Sequence, residues 1–178
     1  VEKDGREFFM TFGNAHPSDT GRPGQVLYYL PGPATGAATA QYLSVMDWGT
    51  QHHISCQGPH GVCVVTAYQN FDGSPWSPME EEVFLQYTDG RVLRLAHHRS
   101  SQCGYWVQPH ASLSVDGRYV IFDSDWGVNR CAASNDNLGR GEAYVIELPA
   151  GVAGSSPTGS AASPSPSVTV TVTPSPTV

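Results

Sequence analysis

The sequence is short of positive charge. Nine Lys and Arg stand against 16 Asp and Glu in 178 residues, giving a formal charge of −7 at pH 7. A nucleic-acid interface needs a basic patch that displaces the counterions of the phosphates. None is present, so nucleic acid is not an expected partner. Long hydrophobic runs are missing too. No apolar stretch approaches the roughly 20 residues that a spanning helix requires, so no membrane span is expected. Apolar stripes at helical spacing are absent as well. So are a Ser nucleophile elbow, a phosphate-binding Gly-rich loop and an HExxH pair. The four Cys contain no C-x-x-C spacing, which argues against a cysteine zinc knuckle.

What the chain does contain is punctuation. There are 19 Gly and 14 Pro, and they separate short β-branched and aromatic runs. That pattern predicts an all-β protein. Strands are expected at 6–12, 26–30, 41–46, 51–56, 62–68, 82–87, 91–96 and 143–148, with a further hairpin over 108–122. Its turn is Ser114-Val115-Asp116-Gly117.

The pieces repeat. Gly5, Gly61 and Gly117 are spaced by 56 and 56 residues, and each ends a turn that leads into an apolar strand. Gln51-x-His53-x-Ser55 and Gln108-x-His110-x-Ser112 are spaced by 57. A period in the tens of residues with four strands per unit is the signature of a β-propeller. A lone four-stranded unit leaves both faces bare and needs neighbours stacked on it. Three units, the first lacking its first strand and the last its fourth, cannot close a ring. The expectation is a partial propeller over residues 1–150, the C-terminal part of a larger ring, with the remaining N-terminal blades as its partner.

Residues 151–178 are rich in Ser, Thr and Pro and are expected to be an extended, disordered linker. The Val-Thr alternation at 168–173 has a second reading, as a strand of another β-domain. Cys56 and Cys63 flank the turn Gly58-Pro59-His60-Gly61 and would face each other across a hairpin, close enough for a disulfide. Cys103 and Cys131 flank the later hairpin and could close a loop. At least one disulfide and the tail composition point to a secreted or cell-surface protein.

The stretch from Ser112 to Ser124 resembles the repeat of TolB-like, or WD40-like, β-propellers. There a Trp-Ser-Pro-Asp-Gly turn precedes an apolar strand ending in Phe and Ser. Leu113 stands at the Trp position and Val115 at the Pro position. The middle unit departs further, with Pro59-His60-Gly61. His110, just ahead of the turn, is similar to a His of the oligogalacturonate lyase branch. That likeness implies a divalent metal, manganese, held by several His and a Gln, with Gln108 near the Gln position and His53 contributed by the neighbouring unit.

Residues two apart on a strand share a face. Gln51, His53 and Ser55 should therefore point one way, as should Gln108, His110 and Ser112. Two imidazoles and two amide oxygens would hold a divalent cation. The alternative is that each triplet bonds the backbone and locks one unit to the next. His52 should point to the opposite face. Asp123-x-Asp125-x-Gly127-x-Asn129 has the oxygen spacing of a calcium loop, though a polar turn explains it equally. Trp76 and Trp126 are expected to be exposed and to offer stacking platforms for a polysaccharide or protein ligand. Trp48 and Trp106 are expected to pack between units. Two functions follow as expectations: a glycan- or protein-binding scaffold in a secreted modular protein, or a metal-dependent polysaccharide lyase. The sequence assigns no catalytic residue.

Overall fold

In a computed structural model the protein is all-β. The structure describes residues 2–3, 6–14, 23–29, 40–46, 50–70, 79–128, 141–154 and 169–172. Twelve strands run β1 (Glu2–Lys3), β2 (Arg6–Asn14), β3 (Pro23–Tyr29), β4 (Ala40–Val45), β5 (Thr50–Ser55), β6 (Val62–Asn70), β7 (Glu82–Tyr87), β8 (Val92–His97), β9 (Ser112–Leu113), β10 (Tyr119–Ser124), β11 (Glu142–Glu147) and β12 (Thr169–Val172). They form three four-stranded sheets: β1-β2-β3-β4, β5-β6-β7-β8 and β9-β10-β11-β12. Each pairs antiparallel with its sequence neighbour, so every sheet is a simple meander.

The repeated glycines explain this order. Gly5, Gly61 and Gly117 each lie between the first and second strands of their sheets. Gly61 and Gly117 have φ of +83° and +70°, the left-handed region in which a side chain is strained. At Gly117 space is also short, because a Cβ there would meet Pro59 Cγ at 2.7 Å. The first turns of the second and third sheets are thus packed against each other.

Alternation along the middle sheet sets the stacking. On β6, Val62 and Val64 join a core with Leu113, Val120, Phe122 and Ile146 of the third sheet. Cys63, Val65 and Ala67 join a second core with Phe8, Met10 and Leu27 of the first sheet. The period of two in a strand puts these two sets on opposite faces. The middle sheet is therefore covered on both sides, which is why β6 reads as a continuous apolar run. On the far faces of the two flanking sheets Phe9 stacks on Tyr28 at 5.2 Å, and Tyr119 and Ile121 are exposed.

Several expectations need correction. The first sheet does have a first strand, the two-residue β1, paired with β2. The third sheet has its fourth strand: Val170 and Val172 pair with Ile146 and Tyr144, so the Val-Thr alternation adds to this protein's own sheet. Neither a solvated tether nor a separate domain describes those four residues. The start of the expected linker also folds back. Ala153 is buried in the core between the second and third sheets, and the Tyr87 hydroxyl donates to Val152 O at 2.6 Å.

Cys56 and Cys63 form a disulfide, directly beyond the last ladder pair Ser55–Val64 of the β5–β6 hairpin. Cys103 is disulfide-bonded as well; Cys131 lies outside the described residues. No helix among the described residues is long and apolar enough to cross a membrane.

Candidate functional site

His53 and His110 meet. Their ring centroids are 5.1 Å apart at an interplanar angle of 78°, an edge-to-face contact. His53 projects from β5 in the middle sheet. His110 sits ahead of β9 in the third sheet, so the contact bridges two sheets. His52, one residue along β5, packs edge-on against Phe12 of the first sheet at 4.3 Å, on the opposite face as strand alternation requires.

The route by which His110 arrives differs from the expected one. Gln108-Pro109-His110 is not strand. A short 3-10 helix, Tyr105–Val107, ends at Gln108, whose N–H donates to Tyr105 O. Two tight turns follow, with His110 N–H donating to Gln108 O and Ala111 N–H to Pro109 O, both at 2.8 Å. Pro109 has no N–H for a ladder, and β9 begins only at Ser112. The shared-face argument for Gln108, His110 and Ser112 therefore does not apply. Ala111 N–H also donates to Thr66 Oγ1 of the middle sheet at 3.0 Å, which anchors the segment and sets His110 over β5.

Aromatic rings surround the pair. Tyr105 lies 5.1 Å from the His110 ring, and Tyr68, near the end of β6, lies 6.4 Å from it. Trp106 stands edge-on to Tyr105 at 5.0 Å. Trp106 is 58% exposed and Tyr105 59%, which overturns the expectation that Trp106 packs in a core. Burial lowers the His53 pKa, and the His110 charge lowers it further. Burial, with Tyr105 beside it, pushes Tyr68 up to about 12. Asp123, at the end of β10, is raised by burial, with the His110 charge acting against that. One of the site's buried polar atoms, His53 Nδ1, lacks a hydrogen-bond partner.

The remaining candidates separate from this cluster. Among the described residues, no group of three or more His, Cys, Asp and Glu is placed to hold a metal ion. Of the donors expected for a cation, the described residues bring His53 and His110 together. The backbone of Gln51 lies in β5, but its side chain is outside the description, as are Trp48, Trp76 and Asn129. The Asp125 carboxylate is spent on structure. It accepts from Ser101 N–H at 2.8 Å, from the Ser101 hydroxyl and from Gly127 N–H at 3.2 Å. Trp126 is exposed as expected, but its ring already stacks on Tyr144 at 5.1 Å, with Arg99 at 5.8 Å.

His98 was not singled out by its sequence context and proves to be a structural bolt. It is fully buried; its Nε2–H donates to Ala67 O at 3.0 Å and its Nδ1 accepts from Ser100 N–H at 3.0 Å. The Ser124 hydroxyl donates to His98 O at 2.6 Å, joining the third sheet to the second. Tyr68 and Tyr105 were also missed, and Asp123 was read only as part of the calcium-loop spacing. The one available signal was Tyr105-Trp106, two large rings side by side between Gly104 and Pro109, where a turn must expose something.

Comparison of the chain with protein-family models, with curated proteins and with solved structures finds no match.

Proposed function

We propose that the three sheets are consecutive blades of a β-propeller in a secreted protein, and that the ring cluster around His53 and His110 binds a glycan. The propeller reading is supported by the repeated meander and by the spacing that puts Gly5, Gly61 and Gly117 between the first and second strands of successive sheets. It is supported further by the two-sided burial of the middle sheet and by exposed Phe9, Tyr119 and Ile121 on the outer faces of its neighbours. Secretion is supported by the cysteines: Cys56–Cys63 and Cys103 are all oxidised, as in compartments without a thiol buffer.

The observation that carries glycan binding is the exposed pair Tyr105 and Trp106 set beside two imidazoles at a junction between sheets. A sugar ring presents an apolar face for stacking and hydroxyls for polar neighbours. Large rings with few convergent polar groups suit it. The lyase alternative draws on the His53–His110 contact, but among the described residues no third His, Cys, Asp or Glu groups with that pair to hold a metal. The test is a tryptophan-fluorescence titration of the full chain with a polysaccharide panel, followed by absorbance for unsaturated products. Saturable binding that Trp106→Ala abolishes supports the scaffold. Manganese-dependent absorbance supports the lyase.

A further inference from the structure

Resting on the blade reading, we infer that the outer faces of the first and third sheets are two halves of one interface, closed head to tail by a second copy of this chain.

The two faces repeat a contact already made inside the molecule. Phe122 and Tyr144 are cross-strand partners on the second and third strands of the third sheet, their rings stacked at 5.5 Å. Both are buried, and they share a core with Val64 and Leu85, the cross-strand partners on the matching strands of the middle sheet. A stacked aromatic pair on one sheet thus meets an aliphatic pair on the next. Each half recurs on an outer face. Phe9 and Tyr28 are cross-strand partners on the second and third strands of the first sheet, stacked at 5.2 Å. Ile121 and Val145 are cross-strand partners on those strands of the third. Phe9 lies between Phe8 and Met10, and Ile121 between Val120 and Phe122, all four in cores shared with the middle sheet. Alternation therefore turns Phe9 and Ile121 outward. They are 48% and 46% exposed, whereas Phe122 is 2%.

Sheet order gives the contact a direction. Towards the third sheet the middle sheet presents its aliphatic pair, and the third answers with its aromatic pair. The first sheet's aromatic pair and the third sheet's aliphatic pair are therefore complementary to each other and not to themselves. Such heterologous contacts close into a ring or run on as a filament. Two copies of three sheets make six, within the roughly four to eight blades of closed propellers, so closure falls at two copies. The third sheet's outer face also has a polar border. Arg118 lies over the Tyr119 ring and pairs with Glu147 at 3.0 Å, both side chains exposed. An apolar centre with a polar rim is the usual anatomy of a protein interface.

The experiment is sedimentation velocity on the full chain from about 1 µM to about 100 µM, a span that resolves a micromolar dissociation constant. The expected result is a dimer that grows no further with concentration. Phe9→Asp and Ile121→Asp each put a carboxylate into an apolar seam, and each should raise the dissociation constant at least about tenfold. Mixing the two variants leaves one seam of the ring with both native faces. The mixture should therefore dimerise more tightly than either variant alone. Should either variant fail to fold, Phe9→Ser and Ile121→Ser take their place. A monomer throughout the range, open-ended growth, or a dimer weakened by only one substitution or by neither overturns the inference. A monomer that Phe84→Ala still destabilises strongly keeps the stacked blades and loses only the second copy. A monomer indifferent to Phe84→Ala overturns both.

Discussion

The edge-to-face contact between His53 and His110, at 5.1 Å, joins two sheets through side chains 57 residues apart in sequence. It places a polar, titratable pair beside exposed rings, where the backbone of the third sheet turns tightly before entering its first strand. The functional reading depends on that junction, so the first prediction concerns the rings around it.

Tyr105→Ala and Trp106→Ala should weaken saccharide binding with little loss of stability. Both side chains are exposed, and surface truncations usually change stability by less than about 0.5 kcal/mol. Loss of a stacking ring should cost about 1 kcal/mol of binding, near the lower end of aromatic contact energies. Titration calorimetry measures the first quantity and urea unfolding the second.

His98 should make the fold sensitive to acid. Burial pushes its pKa down to about 4 from 6.5, against a partial opposing effect of its bond to Ala67 O. The unfolded chain therefore binds the proton more readily than the folded one between those values. The stabilisation is complete above pH 6.5 and is lost as pH falls from 6.5 towards 4. The full shift corresponds to roughly 3 kcal/mol. Urea midpoints measured across that window should fall steadily. His98→Ala should be less stable at neutral pH and should show a flatter profile.

Phe84→Ala should destabilise the protein by about 3–5 kcal/mol, the range for a fully buried phenyl truncated to a methyl. Phe84 is completely buried in the core between the first and second sheets. If the first sheet were not stacked on the second, the ring would be exposed and the loss far smaller. Thermal melting of the variant decides between these outcomes.

Cys56→Ser with Cys63→Ser should cost about 2–3 kcal/mol, the loop-closure entropy of so short a ring. The pair lies beyond the Ser55–Val64 rung, so hairpin register should survive its removal. Hydrogen exchange on β5 and β6 should show faster opening with the same protected amides.

Much of the fold was legible because strands carry their signal locally. Glu82–Tyr87 is observed with the bounds its flanking residues imply, and the 56-residue spacing of Gly61 and Gly117 marked the two left-handed turns that open the second strands of their sheets. The tail was not legible. Val170 and Val172 sit in Ser/Thr/Pro-rich surroundings whose composition favours solvation, and only pairing to β11 gives them a place. The site was half legible. His53 and His110 stood out as a repeated pair, yet the reason they meet is non-local: the anchor from Ala111 to Thr66 and the turns forced by Pro109. Trp106 was misread because a large ring usually packs inside, whereas here a 3-10 turn carries it to the surface. Asp123 carries only the calcium-loop spacing of Asp123-x-Asp125-x-Gly127-x-Asn129, which does not point to the rings.

The most direct test of the central claim is an NMR titration of the full chain with a neutral oligosaccharide, following side-chain resonances. The account predicts saturable shifts at the Trp106 indole N–H, the Tyr105 ring and the His53 and His110 imidazoles, with Phe9, Tyr119 and Ile121 on the outer sheet faces unmoved. Shifts confined to those outer faces, or no shift at the imidazole pair, would contradict it.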